Sequence, residues 1–375
     1  MQISQSNYSP KASIDRGIVY YPAFDYLRIT LAAAVAASHA NLVTWPTAGA
    51  FSVQVFFALS GWLIGGVLLR SDPSDLPRFY FNRAARIWIP YFVAFGLVVA
   101  AAVIRDTLTP KWLEFLFYKL TFTYNFFGAF QIDAYRNLAP LSGSANHFWS
   151  ISAEEQFYLV APLLICTLAF GRSIWFWTIC SAFLLSVPVG RFFAAVALGV
   201  LAAVARERLG QWNEQRSARY FLGLTAVVTF TSLYFDLVPY RIFAPLCSIA
   251  IVLCLAQQSA SGPSQLGEFL GGVSYPMYLN HWIGAFVTHG LLKRIGGTGT
   301  PIEGVISVLS GFLISAVLYQ LIDARVRRNR NKYYSRVVGV IVAVLGYALV
   351  LSGIVVGSTL TTENLANEFR PFFMH

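Results

Sequence analysis

Residues 24–43 read FDYLRITLAAAVAASHANLV. About 20 residues of helix span the roughly 30 Å hydrocarbon core of a bilayer, so this run has the length of a crossing. An arginine stands near its start and a histidine near its end, with ten mostly apolar residues between Arg28 and His39. At about 100° per residue the two share a helix face, roughly 16 Å apart along the axis. Ionisable groups inside a bilayer are costly and usually face a protein-lined cavity. Taken alone, the stretch is equally compatible with Arg28 snorkelling to headgroups and His39 packing as an interior histidine.

The rest of the chain repeats the pattern. Of 375 residues, 57% are hydrophobic and only 12% charged, and mean hydropathy is +0.59. A soluble domain carries about 25% charged residues. About eleven apolar segments are long enough to be helices, near 24–44, 51–69, 87–104, 149–170, 174–188, 190–205, 219–236, 241–257, 268–292, 302–322 and 337–357. The short pair flanking Pro188 and Gly190 is the least regular. The expected fold is all-α, a polytopic integral membrane helical bundle of about 10–11 transmembrane helices.

Basic residues cluster in three connections: Arg70, Arg78, Arg83 and Arg86; Arg206, Arg208, Arg216 and Arg219; and Arg325, Arg327, Arg328, Arg330, Lys332 and Arg336. Four helices separate consecutive clusters, so all three fall on one side, which the positive-inside rule makes cytoplasmic. This accounts for the net charge of +10 without nucleic-acid binding. The expected organisation is a cytoplasmic N-terminal segment over 1–23 and a membrane domain over 24–322. A basic cytoplasmic loop, an extra C-terminal crossing and a short external tail fill 323–375. The polar start lacks the apolar region of a cleavable signal peptide. The connection 105–148 is aromatic-rich (EFLFYKLTFTYNFFGAF), which places it in the interface or folded back into the bundle. Cys166, Cys180, Cys247 and Cys254 lie in apolar runs without zinc-type or CxxC spacing and read as packing residues.

Four further stretches interrupt apolar helices with polar groups. In VFFALSGWLIGG (55–66), Ser60-Gly61 and Gly65-Gly66 permit close helix approach or leave room for a ligand. In RFYFNRAARIWIPYF (78–92), Arg83 and Arg86 are three apart and share a face; paired guanidiniums suit phosphate, although the pair also reads as an ordinary basic flank. NHFWSISAEEQFYLVAPLL (146–164) carries His147 and two adjacent glutamates, Glu154 and Glu155. Neighbours on a helix point about 100° apart, so at most one should face a given cavity. Helix capping explains one carboxylate near Ser150 or Ser152, not two. SYPMYLNHWIGAF (274–286) places Tyr275, Tyr278, Asn280 and His281 in mid-helix beside Pro276, which can kink it.

Together these residues resemble the membrane-bound acyltransferase type-3 family. Arg28 and His39 match its signature of Arg, ten residues, then His. FFALSGWLIGG looks like its FFxLSGFL segment, and RAAR with FNR and PYF like its paired-arginine motif. FWSISAEEQFYLVAP is similar to its WSLSxEEQFY element, and SYPMYLNH to its SYxxYLxH element. Ala58, Trp62 and Ala153 depart from the usual pattern. The resemblance covers about residues 20–322.

It implies an O-acyltransferase moving an acyl group, acetyl before succinyl, from cytoplasmic acyl-CoA to a hydroxyl of an extracytoplasmic or membrane-linked glycan. The acceptor is an exopolysaccharide, an O-antigen or a glycolipid. His39 carries over as the essential histidine, with Glu154 and Glu155 as further catalytic candidates, one of them orienting His39. Arg28, Arg83 and Arg86 carry over to the donor's phosphates. Ser60, His147, Tyr275, Tyr278 and His281 are substrate-binding candidates. No metal is expected. The implied location is the bacterial inner membrane, with the N-terminus cytoplasmic and the C-terminus outside, among membrane lipids and with a homo-oligomer left open.

The residues themselves fit this reading. Acyl-CoA is a polyanion whose pantetheine arm is about as long as the Arg28–His39 separation, and the alanine-rich run between them would be a smooth wall along its path. A neutral imidazole suits a general base on the acceptor hydroxyl, or a nucleophile that takes the acyl group first. The rival reading is a proton-coupled polytopic transporter, but no repeated halves or paired broken helices appear. A structural or export-complex subunit would not need clustered ionisable groups. HxxxxD, GxSxG, P-loop, Rossmann and zinc patterns are all missing.

Overall fold

The structure, a computed structural model, describes residues 20–104, 108–131, 145–258, 262 and 264–368. Most of the expected N-terminal segment, with Lys11 and Arg16, lies outside the described residues, as do parts of the 105–148 connection and the C-terminal tail.

Helices of ten residues or more are α1 (Pro22–His39), α2 (Ala48–Leu69), α3 (Leu76–Ile104), α4 (Pro110–Leu120), α5 (Trp149–Thr167) and α6 (Ile174–Ser186). They continue with α7 (Ala194–Leu209), α8 (Arg216–Tyr234), α9 (Tyr240–Leu255), α10 (Gln265–Leu292), α11 (Pro301–Leu318), α12 (Ala324–Tyr333) and α13 (Arg336–Glu368). Each apolar segment of the sequence coincides with one of these. No strand occurs among the described residues, so the fold is all-α. By length and composition, Ala48–Leu69, Pro73–Ile104, Pro301–Tyr333 and Arg336–Leu360 can each cross a membrane unaided.

Local chemistry sets the ends of these helices. Pro22 opens α1 with its φ already helical, and Asn41 at φ 55° turns the chain away after its last residue, His39. Thr109, Ser264 and Thr300 cap α4, α10 and α11 by accepting backbone N–H bonds from Trp112, Gly267 and Glu303.

Two of the expected loops are helical. Arg78, Arg83 and Arg86 lie on α3, which starts at Leu76. The stretch 323–336 is a correction: after one π turn, Tyr319–Asp323, the chain continues α11 as α12. Arginine and lysine are good helix formers, so positive charge marks the side of the membrane without breaking the helix. The described part of the connection 105–148 packs into the bundle. Trp112, Phe115, Tyr118, Phe122 and Tyr124 are fully buried, and so is Lys119. Its ammonium lies 3.7 Å from the Tyr124 ring centre and 4.6 Å from that of Trp112.

Close packing holds α2 against α7. A Cβ at Gly61 would overlap the Val196 carbonyl, and one at Gly199 would overlap that of Ala58. Gly65 also faces α7, against Val200 and Ala203, whereas Gly66 and Ser60 open onto a cavity. The small residues of α2 therefore serve both readings, packing on one face and space on the other. α1 packs on α2 and α10, and α13 returns along α3, where Tyr347 donates to the Leu159 carbonyl at 2.6 Å. Large apolar side chains such as Tyr220, Phe221 and Leu224 on α8 remain exposed, as expected of a lipid-facing surface.

Candidate functional site

A cavity of about 1160 Å³ occupies the space between α1, α2, α3, α5, α10 and α12. It exceeds the roughly 300–1,000 Å³ of a typical small-molecule pocket. Arg70, Arg78, Arg206, Arg327 and Arg330, drawn from all three basic connections, line it. All three basic connections therefore contribute side chains to one cavity wall. Arg28, Arg83 and Arg86 line the same cavity.

These arginines are not equivalent. Arg28 pairs with Asp25 at 3.3 Å, Arg206 with Glu214 at 2.7 Å and Arg327 with Glu268 at 3.6 Å. Arg83, Arg86 and Arg330 pair with no carboxylate among the described residues. The Arg83 guanidinium lies 5.7 Å from the Phe79 ring centre and 5.5 Å from that of Tyr158. Guanidiniums without carboxylates on a cavity wall are available to an anion.

Deeper in, Glu154 Oε1 accepts the Ser60 hydroxyl at 2.6 Å and also that of Tyr158. All three residues line the cavity. Glu155, one position on, turns away: its Oε2 accepts Trp88 Nε1–H at 2.6 Å, and it is not on the cavity wall. The offset between neighbours separates the two carboxyls as the helix geometry requires. Tyr275 lines the cavity and donates to the Ile87 carbonyl at 3.2 Å. Tyr158 was not among the expected site residues. Its signal was in the sequence, because it stands four positions after Glu154 and so on the same face. Trp88 had no comparable signal.

The histidines form a separate group. His39 Nδ1 lies 2.8 Å from His281 Nε2, and the His147 ring centre is 4.6 Å from that of His281 and 5.9 Å from that of His39. His147 and His281 are buried and His39 is exposed. Tyr278 lies between this cluster and the cavity. It lines the cavity, packs its ring 5.3 Å from that of His147, bonds Ser150 Oγ at 2.5 Å and donates to the His147 carbonyl at 2.9 Å.

Two expectations change here. No glutamate touches His39 among the described residues; its hydrogen-bond partner is His281. Nor does the alanine run wall the path. From α1, only Phe24, Asp25 and Arg28 reach the cavity, while Ala32 and Ala36 are buried in packing. The alanines let α1 approach its neighbours, and bulkier elements enclose the space. As for metals, the three histidines offer ligand atoms within 4.8 Å of one another. A tetrahedral zinc with 2.0–2.1 Å bonds holds its nitrogens roughly 3.4 Å apart. The 2.8 Å between His39 Nδ1 and His281 Nε2 is a hydrogen-bond distance.

The family profile described as "Acyltransferase domain" matches residues 21–320. Over 194 residues, 49% of this chain and 28% of the relative, the sequence is 30% identical to peptidoglycan O-acetyltransferase OatA of Listeria monocytogenes. Over 366 residues, 84% of this chain and 56% of the relative, it is 25% identical to putative peptidoglycan O-acetyltransferase YrhL of Bacillus subtilis. O-acetyltransferase OatA of Staphylococcus aureus is 29% identical over 172 residues, 42% of this chain and 25% of its own length. The chain therefore spans between a quarter and just over half of the length of these relatives. No solved structure matches it.

Proposed function

The chain belongs to the acyltransferase domain family, and we propose that it is a membrane O-acyltransferase that moves an acetyl group from acetyl-CoA to a hydroxyl of a cell-surface glycan. The relatives' names support acetyl over succinyl, and they support a glycan such as peptidoglycan as acceptor. In this reading the protein sits in the bacterial inner membrane, and the arginine-lined wall of the cavity faces the cytoplasm.

The observation that carries the proposal is continuity. One cavity links Arg28, Arg83 and Arg86 to Ser60, Glu154 and Tyr278, and Tyr278 touches the histidine cluster. The donor's phosphates would sit on Arg83 and Arg86, with Arg28 and Arg330 beside them. Its arm would run past Glu154, whose two hydroxyl partners hold the carboxyl against the wall. The acceptor hydroxyl would arrive at the exposed face of His39, which acts as general base. The transfer joins the hydroxyl oxygen to the acyl carbon and releases the thiol of CoA.

The test incubates the purified chain in lipid nanodiscs with labelled acetyl-CoA and glycan acceptors. Label should move to an acceptor, and His39→Ala should abolish this in protein that inserts normally. Full transfer by His39→Ala would overturn the mechanism. Mass spectrometry of surface glycans from cells with and without the gene gives the acceptor, with one acetyl group as the expected mass difference.

A further inference from the structure

The hydrogen bonds around the histidine cluster fix where the protons are. His281 Nδ1 lies 2.9 Å from the Tyr278 carbonyl oxygen and 3.2 Å from that of Met277. A carbonyl oxygen only accepts, so His281 carries its proton on Nδ1 and a lone pair on Nε2. That lone pair faces His39 Nδ1 at 2.8 Å, so His39 in turn carries its proton on Nδ1. Its Nε2 is then the unprotonated nitrogen. The third imidazole obeys the same rule: His147 Nε2 lies 3.3 Å from the Leu279 carbonyl, which places its proton there. The carbonyls that orient His147 and His281 belong to three consecutive residues of α10, Met277, Tyr278 and Leu279.

We propose that His281 is a positioning residue. It locks His39 in the tautomer protonated on Nδ1, so that Nε2 is the atom that removes the acceptor's proton. This rests on the acyl-transfer reading above and goes beyond it by assigning the atom and the group that selects it. His39 Nε2 takes the proton of the acceptor hydroxyl as its oxygen bonds to the acyl carbon. The carbon–sulfur bond breaks, and the departing thiolate takes that proton back from Nε2. His39 returns to its starting tautomer, and His281 keeps its own proton on Nδ1 throughout. A ring nitrogen's role is set in this way by the bond its partner nitrogen makes. His281 is suited to the task because it is buried while His39 is exposed: the orienting group is sheltered and the reacting one is open.

The test uses the full chain in nanodiscs with His281→Leu and His281→Gln. The glutamine carbonyl can still accept from His39 Nδ1–H; leucine cannot. We expect His281→Leu to lower kcat by about 100-fold, within the range of general-base catalysis. KM for acetyl-CoA should change little, and His281→Gln should recover roughly a tenfold part of the loss. The pH profile of kcat should shift in the leucine variant, because both tautomers of His39 become accessible. Wild-type kcat and pH profile in His281→Leu, or glutamine as slow as leucine in equally stable proteins, would overturn the proposal. If His281→Leu fails to fold, nitrogen-15 NMR of the His39 ring in the unsubstituted protein decides. Protonation at Nδ1 with a bare Nε2 supports the lock, and the reverse overturns it. That spectrum needs no turnover. An unsubstituted protein inactive with acetyl-CoA would therefore refute the acyl-transfer reading while the tautomer assignment is judged separately.

Discussion

Glu154 Oε1 accepts the Ser60 hydroxyl at 2.6 Å, tying α2 to α5 inside the cavity. An intramolecular hydrogen bond contributes about 0.5–1.5 kcal/mol net. Ser60→Ala should lower kcat/KM about tenfold, because Tyr158 alone then holds the carboxyl. Glu154→Ala, which removes the carboxyl itself, should cost more. Steady-state kinetics with melting curves in detergent check this. A Ser60→Ala protein that melts as the wild type and turns over at full rate would show the bond to be incidental.

The unpaired guanidiniums give a prediction about the donor. Arg83→Ala and Arg86→Ala should each weaken acetyl-CoA binding about 10- to 100-fold, the value of one or two charge-assisted bonds. Acceptor binding should be untouched. Arg330→Ala should behave likewise, although it lies beyond the segment matched by the family. Equilibrium binding of labelled acetyl-CoA at two salt concentrations measures the loss and its screening. Equal affinity in all three variants would remove these residues from the donor site.

Tyr278 stands between the cavity and the histidines, so its removal should uncouple the reaction. Tyr278→Ala deletes both the ring and the bonds to Ser150 and the His147 carbonyl. Water then reaches the thioester, and acetyl-CoA hydrolysis without acceptor should rise above the wild-type rate as glycan acetylation falls. Free-thiol release in the absence of acceptor reads this out. An unchanged hydrolysis rate would mean that another group closes the path.

Stability should be sensitive at the α2–α7 contact. Gly61→Val drives a side chain into the Val196 carbonyl, and overpacking of this kind costs about 1–3 kcal/mol or more. Gly66→Val, open to the cavity, should cost much less stability. A lower melting temperature only for Gly61→Val is the expected outcome. Equal melting of the two variants would contradict the division of faces.

Much of this architecture was legible because its physical signals are local. A run of about 20 apolar residues is a helix whatever surrounds it, and the arginine clusters marked the connections that meet at one cavity. The two faces of Ser60–Gly66 were not legible, because only the partner helix decides which small residue it meets. Nor was the choice between Glu154 and Glu155: periodicity separates them but does not say which looks inward. The pairing of His39 with His281 joins residues 242 apart, and no helical periodicity reaches that far. The alanine wall failed for a related reason. Small side chains announce close approach, and close approach leaves no room for a ligand.

The π turn at Tyr319–Asp323 sets which way the arginines after it face. A π turn takes up one more residue than an α-helical turn does, so everything after it sits about 100° behind where an uninterrupted α-helix would place it. Arg327 and Arg330 reach the cavity with that phase. Tightening the turn into α-helix at constant chain length would rotate both away while leaving every charge and every apolar run intact, whereas deleting one residue within 319–323 would close the turn and keep both facing the cavity. Composition would be blind to the change, and binding of acetyl-CoA would report it. In this helix the angular setting of the arginines is encoded by the π turn as much as by residue type.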